Sequence, residues 1–111
     1  MLLERAGYEV IAVLNCADGL KALAENGPID AVISDLHMER PNIGLELARA
    51  AMKILPRPVV MLCTGYADVY NSRAALELHV DYMATKPVEL EELLSALASL
   101  LARRAAATSG A

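Results

Sequence analysis

The chain has 111 residues, a formal charge of −4 and 56% hydrophobic residues, with neither Trp nor Phe. That length fits one domain and leaves no room for a second module. The acidic balance offers no basic face for direct nucleic-acid contact, no apolar run approaches the ~20 residues of a membrane span, and the N-terminus lacks the basic-then-apolar pattern of a leader. A soluble, cytoplasmic protein is expected, its core built from Leu, Val, Ile, Ala and Met. Such a core suits helices packed on a parallel sheet. Cys16 and Cys63 lack metal-ligand spacing and read as two reduced thiols.

In chain order, Met1 to Ala6 reads as the end of a helix, with Leu2, Leu3 and Ala6 on one face and Gly7 as the stop. Tyr8 to Leu14 carries Val10, Ile11, Val13 and Leu14 and predicts a strand. Asp18 is the expected N-cap of a helix whose Leu20, Leu23 and Ala24 face inward and which ends at Gly27-Pro28. Asp30 to Ser34 is an apolar strand delivering Asp35 to its C-terminal tip. A loop with Pro41 and Asn42 follows. From Gly44, Leu45, Ala48, Met52 and Leu55 recur at three- and four-residue steps and predict an amphipathic helix ended before Pro56 and Pro58. Pro58 to Cys63 is apolar without alternation, as a strand covered on both faces should be.

Tyr66 to Leu78 is helical by propensity but weakly patterned. Asp81 to Thr85 is the last strand. After Lys86-Pro87 comes the clearest helix, with Leu90, Leu93, Leu94, Leu97, Leu100 and Leu101 on one stripe, and Glu89, Glu91 and Glu92 at the end where the helix dipole favours acids. It is expected to close near Arg103-Arg104, giving a domain over 1–104 and a flexible tail over 105–111. Strands alternating with helices in this rhythm predict an α/β fold, a doubly wound parallel sheet with helices on both faces.

In such a sheet the C-terminal strand tips are where sites form. Three predicted strands end in chemistry: Ser34-Asp35-Leu36-His37-Met38, Cys63-Thr64-Gly65 and Thr85-Lys86-Pro87. An acid, a hydroxyl and an amine would meet at one edge. That trio, at those spacings, resembles the phosphoacceptor Asp, the Thr/Ser and the Lys of the receiver domain of bacterial two-component response regulators, which has a flavodoxin-like fold. The likeness runs from Met1 to about Arg103. It implies that Asp35 accepts a phosphoryl group from a histidine kinase or phosphotransfer protein, that Thr64 hydrogen-bonds it, that Lys86 pairs with one of its oxygens, and that the Lys86-Pro87 bond is cis. A strand-tip carboxylate is a competent nucleophile if a cation neutralises the phosphoryl oxygens. No enzyme with its own turnover is implied.

The chain also departs from the family pattern. Three residues before Lys86, where an aromatic switch is usual, stands Met83, with Tyr82 on the opposite strand face; the switch set is then Thr64, Met83 and Tyr82. The family's opening strand, with its two Mg²⁺-binding acids, has no counterpart, so the reading is an N-terminally truncated receiver. Mg²⁺ would be left with Asp35 and the backbone carbonyl of His37, a weak octahedral site, with Glu39 the nearest further acid. His37 and His79 lie on different elements and read as polar loop and helix-end residues, and Met38, Met52, Met61 and Met83 as core filler.

Three functions are weighed. The first is a phosphoaccepting receiver module. The second is a degenerate receiver-like interaction module that uses the same surface without phosphorylation. A small flavodoxin-like ligand binder is disfavoured, because no Gly-rich phosphate loop is present. A gap in the sheet beside the Asp35 strand would leave unpaired edges, so a homodimer or larger assembly is expected.

Overall fold

A computed structural model describes residues 2–37, 43–65 and 78–109. The predicted helix over Tyr66 to Leu78 falls almost wholly outside them, as do Met38 and Glu39.

The opening helix α1 (Leu2–Arg5) ends as the sequence predicts, with Gly7 at φ +96°. That left-handed angle is one that glycine adopts without steric cost. The next stretch corrects an expectation: Tyr8 to Leu14 forms no strand. It has the β-branched composition, but a strand is defined by a hydrogen-bonded neighbour, and none is in place among the described residues. Tyr8 packs inward, but Ile11, Val13 and Leu14 stay out in solvent, Leu14 at 93% exposure.

Helix α2 (Cys16–Glu25) is capped by Asn15, not by Asp18. The Asn15 side-chain oxygen accepts from the Asp18 N–H at 2.8 Å, and its amide nitrogen donates to the Asp18 carboxylate at 3.1 Å. Asp18 thus serves as the third residue of a reciprocal capping pair. The inward face of α2 is also one step away from the predicted stripe. Cys16 and Gly19 are buried while Leu20 and Ala24 are exposed. Leu23 packs inward as expected.

Three parallel strands follow: β1 (Ala31–Asp35), β2 (Val59–Thr64) and β3 (Tyr82–Thr85), in the order β1-β2-β3. Asp35 stands opposite Cys63, and Thr64 opposite Thr85. The central strand β2 is buried along its whole length. Its side chains alternate, as the two-residue period of a strand requires. Val60 and Leu62 join Leu36, Leu45, Ala48 and Ala51 on one face, whereas Val59 and Met61 join Leu93 and Leu97 on the other. The first face is covered by α3 (Ile43–Met52) and the second by α4 (Leu90–Ser109), with α1 and Tyr8 also packed there. This is the doubly wound α/β arrangement that the sequence predicts.

Both later helices differ in length from the prediction. Helix α3 stops at Met52, leaving Leu55 at 89% exposure, because the chain must already turn toward Pro56 and Pro58. Helix α4 runs to Ser109, past Arg104, so residues 105–109 are helical where a flexible tail was expected. Ala105, Ala106 and Ala107 are strong helix formers, and their propensity carries the helix on. Within its stripe Leu93 and Leu97 are buried, but Leu90 is half exposed.

Candidate functional site at the strand tips

The C-terminal ends of the three strands bring the predicted trio to one edge. Asp35 closes β1, Thr64 closes β2, and Lys86 follows β3 directly. Main-chain bonds hold this edge in register: Leu36 N–H donates to the Cys63 carbonyl, and Lys86 N–H to the Thr64 carbonyl, each at 2.8 Å. The Lys86-Pro87 bond is cis, and so is Leu55-Pro56, which the sequence did not flag.

Lys86 Nζ lies 3.1 Å from Asp35 Oδ1, and each side chain is 49% exposed. At that exposure the pair is worth at most about 1 kcal/mol to stability. Its interest lies in placing an ammonium beside an accessible carboxylate. Thr64 is buried, and its hydroxyl donates to the Gly65 carbonyl at a long 3.4 Å. The hydroxyl sits at the same edge but is directed at its own turn. Below these groups Tyr82 packs on the Leu93 side of the sheet and Met83 on the Leu36 side, the opposed faces that strand alternation predicts.

Two residues of the site escaped the sequence reading. Gly44, at the start of α3, donates its N–H to the Leu36 carbonyl at 2.9 Å, and a Cβ there would overlap the Asp35 carbonyl oxygen. Only glycine lets α3 start this close to the strand tip. Cys63 stands opposite Asp35 in the register of β1 and β2, within the field of the Asp35–Lys86 pair. Burial pushes its thiol pKa up, the Asp35 carboxylate adds to the rise, and the Lys86 ammonium partly offsets it. It therefore stays a neutral thiol at neutral pH. A close approach and a pairwise field both depend on tertiary neighbours, so no local motif announces them.

For a metal the donor set falls short. Among the described residues no three acidic, His or Cys side chains converge. Among the described residues Asp35 alone supplies a carboxylate at this edge, and Lys86 pairs with one of its oxygens. Mg²⁺ requires near-octahedral oxygen ligation and usually more than one carboxylate. The described residues thus offer Mg²⁺ a donor set of one carboxylate, that of Asp35, and Glu39 lies outside the described part. No helix among the described residues is long and apolar enough to cross a membrane.

A parallel, doubly wound sheet with an acid and an amine paired across its strand tips defines an α/β domain with a strand-tip site. Comparison with known proteins makes the class specific. The family model of the response regulator receiver domain matches residues 1–98, and the chain belongs to that family. It is 32% identical over 106 residues to the transcriptional regulatory protein GlrR of Escherichia coli K12, covering 96% of this chain and 23% of that protein. The chain thus spans about a quarter of the length of this relative. Among solved structures it resembles a response regulator receiver domain protein from Clostridium thermocellum, with 30% identity, a TM-score of 0.81 and coverage of 93% of this chain and 82% of that one. It also resembles a response regulator protein from Burkholderia pseudomallei with a phosphorylated aspartic acid, a calcium ion and citrate. There the identity is 27%, the TM-score 0.72, and the coverage 96% of this chain and 61% of that one.

Proposed function

We propose that this receiver domain takes a phosphoryl group on Asp35 from a phosphohistidine of a partner kinase or phosphotransfer protein. The observation that carries the reading is the Lys86–Asp35 pair, 3.1 Å apart and half open to solvent at the strand tips. A carboxylate oxygen of Asp35 attacks phosphorus, the P–O bond forms as the P–N bond breaks, and the leaving imidazole keeps the nitrogen electron pair. Lys86, already beside the nucleophile, neutralises a phosphoryl oxygen as charge gathers there. Thr64 donates to another oxygen after its hydroxyl turns from Gly65, and this couples phosphorylation to the following loop. The phosphorylated aspartic acid of the Burkholderia relative supports the same chemistry here. No step is assigned to Mg²⁺.

The output is a changed surface around Thr64 and β3, with Tyr82 and Met83 on its two faces. The reading extends to a homodimer or larger assembly through β1. The Asp30 carbonyl and the Leu36 N–H bond to β2, so by ladder alternation the main-chain groups of Ala31, Ile33 and Asp35 point to the other side. No strand occupies that side among the described residues. A phosphohistidine-loaded donor protein with a labelled phosphoryl group tests the central reading: label should pass to the wild-type chain and fail to pass to Asp35→Asn. Equal labelling of the two would refute it.

A further inference from the structure

We infer that Asp81, with Arg57, is a positioning pair that fixes the register of β3 and thereby sets Lys86 against Asp35. The inference rests on the phosphoacceptor reading only for what Lys86 is needed to do. The strand itself is poorly specified by its pattern. It has four residues, of which only Ala84 is fully buried, while Tyr82 and Met83 are half-buried against opposite cores, so neither face is closed off. Register is strongly fixed where a hydrophobic face is buried and weakly fixed where it is not. The Lys86–Asp35 pair cannot set it either, because a half-exposed ion pair contributes too little.

The N-terminal end of the strand is different. Asp81 N–H donates to the Val60 carbonyl at 2.9 Å, while the Val60 N–H donates back to Asp81 Oδ2 at 2.7 Å. One residue thus takes both main-chain groups of Val60, one through its own backbone and one through its carboxylate. A slip of β3 in either direction breaks both bonds. Arg57 holds the carboxylate in place, with its NH1 nitrogen 3.2 Å from Asp81 and its NH2 nitrogen donating to the His79 carbonyl at 3.0 Å. His79 has φ +65°, so Arg57 ties down both the left-handed turn that launches the strand and the acid that registers it. Arg57 is itself anchored, its carbonyl accepting from Arg104 Nε at 2.8 Å while Arg104 also pairs with Asp30 at 3.0 Å. At the ~3.3 Å rise of a parallel strand, Lys86 stands roughly 16 Å from Asp81, at the far end of the same short element.

Hydrogen exchange at two amides separates positioning from plain destabilisation. The Lys86 amide reports the β2–β3 tip, and the Leu36 amide reports the β1–β2 tip. Under conditions where each variant is folded, Asp81→Ala should lower protection at Lys86 at least tenfold more than at Leu36. Arg57→Gln should show the same bias more weakly, because the Val60–Asp81 bonds survive. Asp81→Asn keeps an acceptor for Val60 and should fall between wild type and Asp81→Ala, which keeps the test decisive if the Ala variant does not fold. Equal loss at the two amides in the folded variants, or no loss at either, overturns the inference. The comparison needs no phosphoryl donor, so it stands or falls apart from the phosphoacceptor reading.

Discussion

At the scale of single residues, the site joins a weak interaction to a specific placement. Lys86→Ala should change unfolding free energy by less than about 1 kcal/mol, since the pair it breaks is half exposed. Phosphoryl uptake, if Lys86 neutralises the incoming oxygens, should fall by orders of magnitude more than that energy implies. Denaturant titration beside labelling kinetics separates the two effects. Cys63 makes a second residue-scale prediction. Its thiol pKa is raised in the folded state above an ordinary value of 9.0 by burial first and by Asp35 second. A raised acid favours folding fully below the unfolded value and loses that contribution as pH climbs through the folded one. The stability advantage of wild type over Cys63→Ala should therefore be constant through neutral pH and shrink above about pH 9, as read from urea denaturation across a pH series. An advantage that grows with pH would contradict the assignment.

At the scale of elements, a close approach at Gly44 bears on the strand tips, whereas the Asn15 cap of α2 does not. Gly44→Ala places a methyl group against the Asp35 carbonyl oxygen and should cost about 1–3 kcal/mol, the range for overpacking a site that cannot give way. Because backbone lies on the other side, the relief must come from moving β1 or α3, so Lys86–Asp35 pairing should suffer as well. Asn15→Ala removes the cap of α2 and should cost about 1 kcal/mol without touching the site. Thermal denaturation checks both. The sequence made β2, α3 and the α4 stripe legible because their burial is continuous or strongly periodic, as with Val59 to Cys63 and with Leu93 and Leu97. It misled where a pattern needed a partner. Val10, Ile11 and Val13 have the right composition for a strand but no ladder, and Leu20 holds the position where helical spacing expects core. There Gly19 lies against α3 instead, and a Cβ on it would come within 3.1 Å of Leu47 Cδ1. A small residue that permits helix contact leaves no hydrophobic signal to read.

At the scale of the whole molecule, β1 has a paired side toward β2 and, among the described residues, no strand on its other side. The main-chain groups of Ala31 and Ile33 that point away from β2, where no strand lies among the described residues, and the exposed Ile11, Val13 and Leu14 are the basis of the proposed association of chains. Light scattering coupled to gel filtration should give a dimer or larger mass that persists on moderate dilution. A monomer at every loading would count against that part of the proposal. The trio itself was legible from three strand tips ending in Asp35, Thr64 and Lys86, because parallel strands bring their C-terminal ends to one edge whatever the loops between them. The orientation of Thr64 toward Gly65 depends on neighbours that spacing does not reveal. The central claim is that this edge is a phosphoacceptor. Its most direct test is incubation with Mg²⁺ and acetyl phosphate, followed by peptide mapping by mass spectrometry. The account predicts one phosphoryl adduct, on the peptide containing Asp35 and lost in Asp35→Asn. An unmodified chain under conditions that label a control receiver, or an adduct on another residue, would contradict it.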